Sequence, residues 1–176
     1  MSQKSPQAVL RRVLLVSRID GWSIVIVAGL CALVSLAFGD LTGTLVGLLV
    51  AGGGAMEIGG RRRLLRHDTE GGMDWLVRSQ LIVLGVIWAY AVTRLGSFDA
   101  DSALANLTPD MKAMLDQAGV DTKTLLHYVR VFFYAIYGTV MAVTLLYQGG
   151  LALYYRNRRE AVRQALTAVP VVPAAS

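Results

Sequence analysis

The chain has one cysteine, two histidines and few charges, and each scarcity removes a class of function. Cys31 stands alone inside an apolar run, so neither an intrachain disulfide nor a thiolate metal cluster can form. Its ordinary role there is that of a small packing residue. His67 and His127 both fall outside the apolar runs, which excludes a bis-histidine haem inside a helical bundle. The chain contains no HExxH, no GxSxG and no Walker loop; Gly52-Gly53-Gly54-Ala55-Met56-Glu57 lacks the Lys-Ser/Thr ending that phosphate binding requires. His67-Asp68-Thr69-Glu70 reads as a polar loop. No cofactor and no metal are expected, and no catalytic residue is assigned.

What the chain has in excess is apolar surface. Over 176 residues 55 % are hydrophobic and 16 % charged, with a mean hydropathy of +0.52. An average soluble domain is about 45–50 % apolar and about 25 % charged. A single soluble core of this length could not hide the difference, and the excess is blocky, so a membrane is the expected solvent. A hydrocarbon layer of about 30 Å takes roughly 20 apolar residues in a helix. Four segments qualify: 21–39 without charge, 41–60 interrupted only by Glu57, 75–95 with Arg78 near its start, and 128–155, uncharged from 131. A cleaved leader competes for the first, since Ala37-Phe38-Gly39 loosely resembles a cleavage site. The run exceeds the usual apolar region of about 7–15 residues, so an uncleaved span is expected.

The expected class is therefore an all-α membrane protein, a bundle of four transmembrane helices. Thirteen of the 17 positive residues flank the spans on one side, in the N-terminal segment, the 61–78 region and the C-terminal tail. By the positive-inside rule both termini are cytoplasmic. Arginine strongly outnumbers lysine, a composition associated with GC-rich bacterial genomes, so the expected location is a bacterial cytoplasmic (inner) membrane. The positive net charge of +5 goes with anionic lipid headgroups, not nucleic acid, because the basic residues border apolar blocks. Arg11, Arg12, Arg61, Arg62 and Arg63 are the candidate headgroup contacts.

Three regions follow: a basic N-terminal segment 1–20, a membrane domain 21–158, and a tail 159–176 that is partly disordered, with a Pro-containing end. Segment 7–20 mixes arginines with Val and Leu, and fits either an amphipathic helix on the lipid surface or an extension of the first span. Gly39-Asp40 joins the first two spans in a tight hairpin. Between the third and fourth spans lies an external segment, 96–127. Thr108-Pro109-Asp110 predicts a helix start there and Gly119 its stop. Met111, Met114, Leu115 and Ala118 give it an apolar face, for interfacial packing or as a lid.

Within the spans, faces carry the functional reading. At 100° per residue Gly43, Gly47, Gly54 and Glu57 share a face within about 80°, continued by Arg61. Arg78, Gly85, Ala89 and Gly96 fall within about 20° on the third span. Small residues let helices approach closely in lipid, so both faces are expected at contacts, with Glu57 and Arg78 paired across them. An intramembrane carboxylate is either half of such a structural pair or a proton or ion site. On the fourth span Arg130, Tyr137, Thr144, Gln148 and Tyr155 lie within about 40°. Polar groups cannot face hydrocarbon unsatisfied, so this stripe either bonds to neighbouring helices or lines an aqueous path or subunit interface. The leading expectation is a non-catalytic scaffold or accessory subunit that self-associates or packs on another membrane protein. The alternative is a homo-oligomeric channel or transporter lined by the fourth-span stripe.

Overall fold

The computed structural model describes residues 5–99, 108–117, 119 and 121–168, and every regular element among them is helical. In order these are α1 (Pro6–Ala37), α2 (Leu41–Leu65), α3 (Thr69–Gly96), α4 (Pro109–Gln117), α5 (Thr122–Thr144), a π-helical turn (Leu145–Gly149) and α6 (Gly150–Thr167). Four stretches are long and apolar enough to cross a membrane: α1, α2, α3, and the 45-residue run Lys123–Thr167 through the π turn. The chain divides into two compact units, Met1–Ile87 with Leu145–Ser176, and Trp88–Thr144.

In the first unit, α1 to α3 are joined by the same device used twice. After α1, Gly39 takes φ +73° and the Asp40 N–H returns to the Ser35 carbonyl at 2.8 Å; Asp40 then caps α2 by accepting from the Gly43 N–H at 2.9 Å. After α2, His67 takes φ 62° and the Asp68 N–H returns to the Arg63 carbonyl at 3.1 Å; Asp68 then caps α3 through the Gly71 N–H at 3.0 Å. A left-handed residue releases the last carbonyls of one helix, and the aspartate satisfies the first donors of the next. Both turns reverse the chain within a few residues.

Along the apolar stretches α2 meets its neighbours through glycine. A Cβ on Gly47 would stand 2.9 Å from the Ala32 Cβ, and one on Gly54 would stand 2.8 Å from the Gly21 carbonyl. On the α3 side a Cβ on Gly60 would meet the Gly72 carbonyl at 3.0 Å. Lipid tails are as apolar as leucine and give no hydrophobic drive, so contact here depends on backbones coming close. Large apolar side chains pack mainly at the basic end instead: Val9, Val13, Leu64, Met73, Leu76, Tyr155 and Val162 form one buried cluster. Five of these, all but Leu76 and Tyr155, lie outside the apolar spans, where water restores the hydrophobic drive. Polar ties accompany the cluster. Gln7 Nε2 donates to the Ala165 carbonyl at 2.8 Å, and Arg159 of α6 bonds to Asp74 and stands 3.4 Å from Glu70, both on α3.

At the first expected boundary α1 runs unbroken from Pro6 to Ala37 and buries Val9, Val13, Ser17 and Asp20. Beyond residue 158 the chain is helical to Thr167, with Val162 and Ala165 buried; residues 1–4 and 169–176 lie outside the described residues.

The second unit pairs the end of α3 with α5 through aromatic side chains. The Trp88 indole donates to the Met141 carbonyl at 3.1 Å, Tyr90 packs edge-on to Tyr137 at 6.3 Å, and Phe98 stacks on Phe133 at 5.0 Å. Helix α4 begins as expected, with Thr108 Oγ1 accepting from the Met111 N–H at 3.3 Å, and Gly119 follows it at φ +67°. Met111 and Met114 of its apolar face are exposed; Ala118, expected on that face, lies outside the described residues.

Glycine spacing makes the packing testable. Gly54→Ala drives a methyl onto the Gly21 carbonyl and Ile24, and is expected to cost about 1–3 kcal/mol. Gly52, with nothing within 4 Å of an added Cβ, should tolerate alanine or gain up to about 1 kcal/mol of helix propensity. Thermal unfolding in mild detergent, followed by tryptophan fluorescence, should separate the two variants.

Candidate functional site

Four helices of the first unit contribute to one buried polar cluster. The inward face of α1 reads Val9, Val13, Ser17, Asp20, Ala28 and Ala32, all buried at helical spacing. It carries the Asp20 carboxylate into the unit, 4 % exposed. From α2 comes Glu57, fully buried on the glycine face. Gln80 of α3 is 1 % exposed, beside the buried Ser79, whose hydroxyl bonds back to the Leu76 carbonyl at 2.8 Å. The π turn supplies the buried Gln148 and the half-exposed Tyr147, and α6 the fully buried Tyr155.

These groups bond across helices. Gln80 Nε2 donates to Asp20 Oδ2 at 3.0 Å, and the Tyr147 hydroxyl donates to Asp20 Oδ1 at 2.8 Å. The Tyr155 hydroxyl donates to Glu57 Oε1 at 2.5 Å. Asp20 and Gln80 are the other polar neighbours of the Glu57 carboxyl. Among the described residues no lysine or arginine pairs with either carboxyl. Three buried oxygens have no donor: Glu57 Oε2, Gln80 Oε1 and Gln148 Oε1. Beside Asp20 and Gln148 opens a cleft of about 280 Å³, whose polar lining is Asp20, Ser23, Tyr147 and Gln148 among apolar residues of α1, α2 and α3. No group of three or more His, Cys, Asp or Glu is arranged to hold a metal ion among the described residues.

The expected Glu57–Arg78 pair does not form. The α3 face turned inward is Leu76, Ser79, Gln80 and Val83, all buried, and Arg78 falls outside that arc and is exposed. Gly85 and Ala89 are exposed with it, and nothing stands within 4 Å of a Cβ added at Gly85 or Gly96. The small stripe of α3 is thus exposed and meets no neighbour at Gly85 or Gly96 among the described residues. On α2 the expected face does meet protein, with Gly47 and Gly54 against α1 and Glu57 inside the cluster. Arg61 points its Nε at the Leu14 carbonyl of α1 at 3.3 Å.

The fourth-helix stripe is shared between the units. Gln148 and Tyr155 enter the polar cluster of the first, while Tyr137 stacks on Tyr90 in the second, with Thr144 half-buried. Arg130 is exposed and sits 5.6 Å over the Phe98 ring. Of the candidate headgroup arginines, Arg11, Arg12 and Arg62 are exposed, and Arg63 stacks over Trp75 at 4.2 Å and stands 4.0 Å from Asp68. Sequence reasoning missed Asp20, Gln80 and Tyr147. The signal for Asp20 is the buried spacing of α1, which runs straight through it from Val9 to Ala32.

No protein-family model, curated protein or solved structure matches this chain.

A thermal-stability cycle distinguishes the observed partner of Glu57 from the expected one. Glu57→Gln with Tyr155→Phe should show coupling of about 0.5–3 kcal/mol, whereas Glu57→Gln with Arg78→Ala should be additive within about 0.5 kcal/mol. Tyr155→Phe alone leaves Glu57 Oε1 without its donor and is expected to cost about 1–3 kcal/mol.

Proposed function

We propose that this chain is a small multi-pass protein of a bacterial cytoplasmic membrane, with both termini cytoplasmic, that handles a cation at the Asp20–Glu57 site as a channel or transporter. The observation that carries this reading is the pair of buried carboxyls, supplied by two helices and fed by donors from the others, with no basic partner among the described residues. Ionisable residues inside spans are costly, and where they are kept they mark ion and proton pathways. A purely structural tie would be cheaper with neutral groups, since a buried carboxylate without a cation is a poor way to hold helices together. The cleft next to Asp20, Tyr147 and Gln148 supports access of a small ion. Exposed Arg11, Arg12 and Arg62 suit contact with anionic headgroups on the cytoplasmic side.

Purified protein in liposomes with an imposed proton or sodium gradient tests the reading. Wild type is expected to dissipate one of the two gradients, and Asp20→Asn or Glu57→Gln to abolish the flux while the protein still elutes as a single folded species. Absence of flux for every monovalent cation tried would overturn it.

A second reading is favoured by the exposed face of Arg78, Gly85 and Ala89. A glycine-lined face turned to lipid suits close approach of another helix, which supports a non-catalytic accessory subunit that packs on a copy of itself or on another membrane protein. Native mass spectrometry of the protein extracted in mild detergent should then find a complex, and Gly85→Leu should dissociate it.

A further inference from the structure

The hydrogen bonds around the two carboxyls leave one carboxyl oxygen without a donor. Asp20 and Glu57 present four oxygens, and three donors reach them: Gln80 Nε2 on Asp20 Oδ2, Tyr147 on Asp20 Oδ1 and Tyr155 on Glu57 Oε1. Glu57 Oε2 is left without a donor, and so are Gln80 Oε1 and Gln148 Oε1. Turning the Gln80 amide over moves the deficit without removing it, because its oxygen would then face Asp20 Oδ2. Ionised carboxylates and amide oxygens are acceptors only, so none of these oxygens can serve another.

We propose that the cluster binds one proton, carried by Glu57 on its unbonded Oε2. The proposal rests on the reading of this cluster as the cation site and names its species. A proton on Oε2 turns an orphaned acceptor into a donor and removes the charge from a fully buried carboxyl that no cation meets among the described residues. A hard metal ion fits less well, since such ions take roughly six to eight oxygens and three of the four carboxylate oxygens here are already occupied by donors. The groups that act on Glu57 are Asp20 from α1, the neutral Gln80 from α3 and Tyr155 from α6, with Tyr147 of the π turn bonded to Asp20. Arg61 on its own helix is turned to the Leu14 carbonyl. No cation competes with the proton for the pair among the described residues.

The chain has three glutamates, Glu57, Glu70 and Glu160. The other two are exposed and stand beside Arg159 and Arg163. Full-length protein labelled with carboxyl-¹³C glutamate, reconstituted in lipid at neutral pH, therefore reports Glu57 by infrared spectroscopy almost alone. The expected result is an acid carbonyl band from one of the three glutamates, retained in Glu70→Gln and Glu160→Gln, lost in Glu57→Gln, and shifted in Tyr155→Phe. If Glu57→Gln does not fold, retention of the band in the two surface variants still assigns it by elimination. Complete ionisation of all three glutamates would overturn the proposal. A band without proton flux leaves the bound proton in place and removes the transport reading. Sodium flux with no band does the reverse.

Discussion

The hydrogen bonds to Asp20 and Glu57 constrain the rest of the first unit. Within the hydrocarbon the helices gain nothing from apolar burial against one another, so rotation of each about its axis must be set by other means. Here it is set by carboxyls on α1 and α2 that accept from Gln80 of α3, Tyr147 of the π turn and Tyr155 of α6. A helix turned by one residue would leave a buried charge without its donor. That penalty makes the arrangement specific where glycine contacts alone would allow sliding.

Two packing regimes share the same helices. In the apolar stretches the α1–α2 and α2–α3 contacts are backbone against backbone, at Gly47, Gly54 and Gly60. Toward the basic end the same helices carry Val9, Val13, Leu64, Met73 and Val162 and pack like a soluble bundle. The change coincides with the ends of the apolar runs and follows from the solvent on either side of that boundary. Tyr155 belongs to both regimes, with its ring in the aliphatic cluster and its hydroxyl on Glu57.

Much of this was legible in the residues. Run length located the spanning helices, Gly39-Asp40 the hairpin, Thr108-Pro109 the start of α4, and periodicity the glycine face that carries Glu57. What periodicity cannot supply is the partner, because that depends on how each neighbouring helix is rotated. Arg78 was the nearest opposite charge by depth, but the face of α3 that meets α2 is defined by Gly72, Leu76 and Val83, and Arg78 lies off it. Asp20 was overlooked for a different reason. It closes a basic flank, and counting charges along a run hides the face on which a charge sits. The π turn has no local sequence signature, so the bond of the half-exposed Tyr147 to Asp20 was not predictable from regular helical arithmetic.

The aliphatic cluster at the basic end bears on the polar cluster as well as on stability. Val13, Leu64, Leu76 and Tyr155 are fully buried, and Tyr155 carries its ring in the aliphatic cluster and its hydroxyl on Glu57. The two clusters are therefore one mechanical piece. Loosening the aliphatic packing at Val13 or Leu64 frees the Tyr155 ring, and with it the donor that Glu57 depends on. Tyr155 is the hinge pin between the oily end of the unit and its acid.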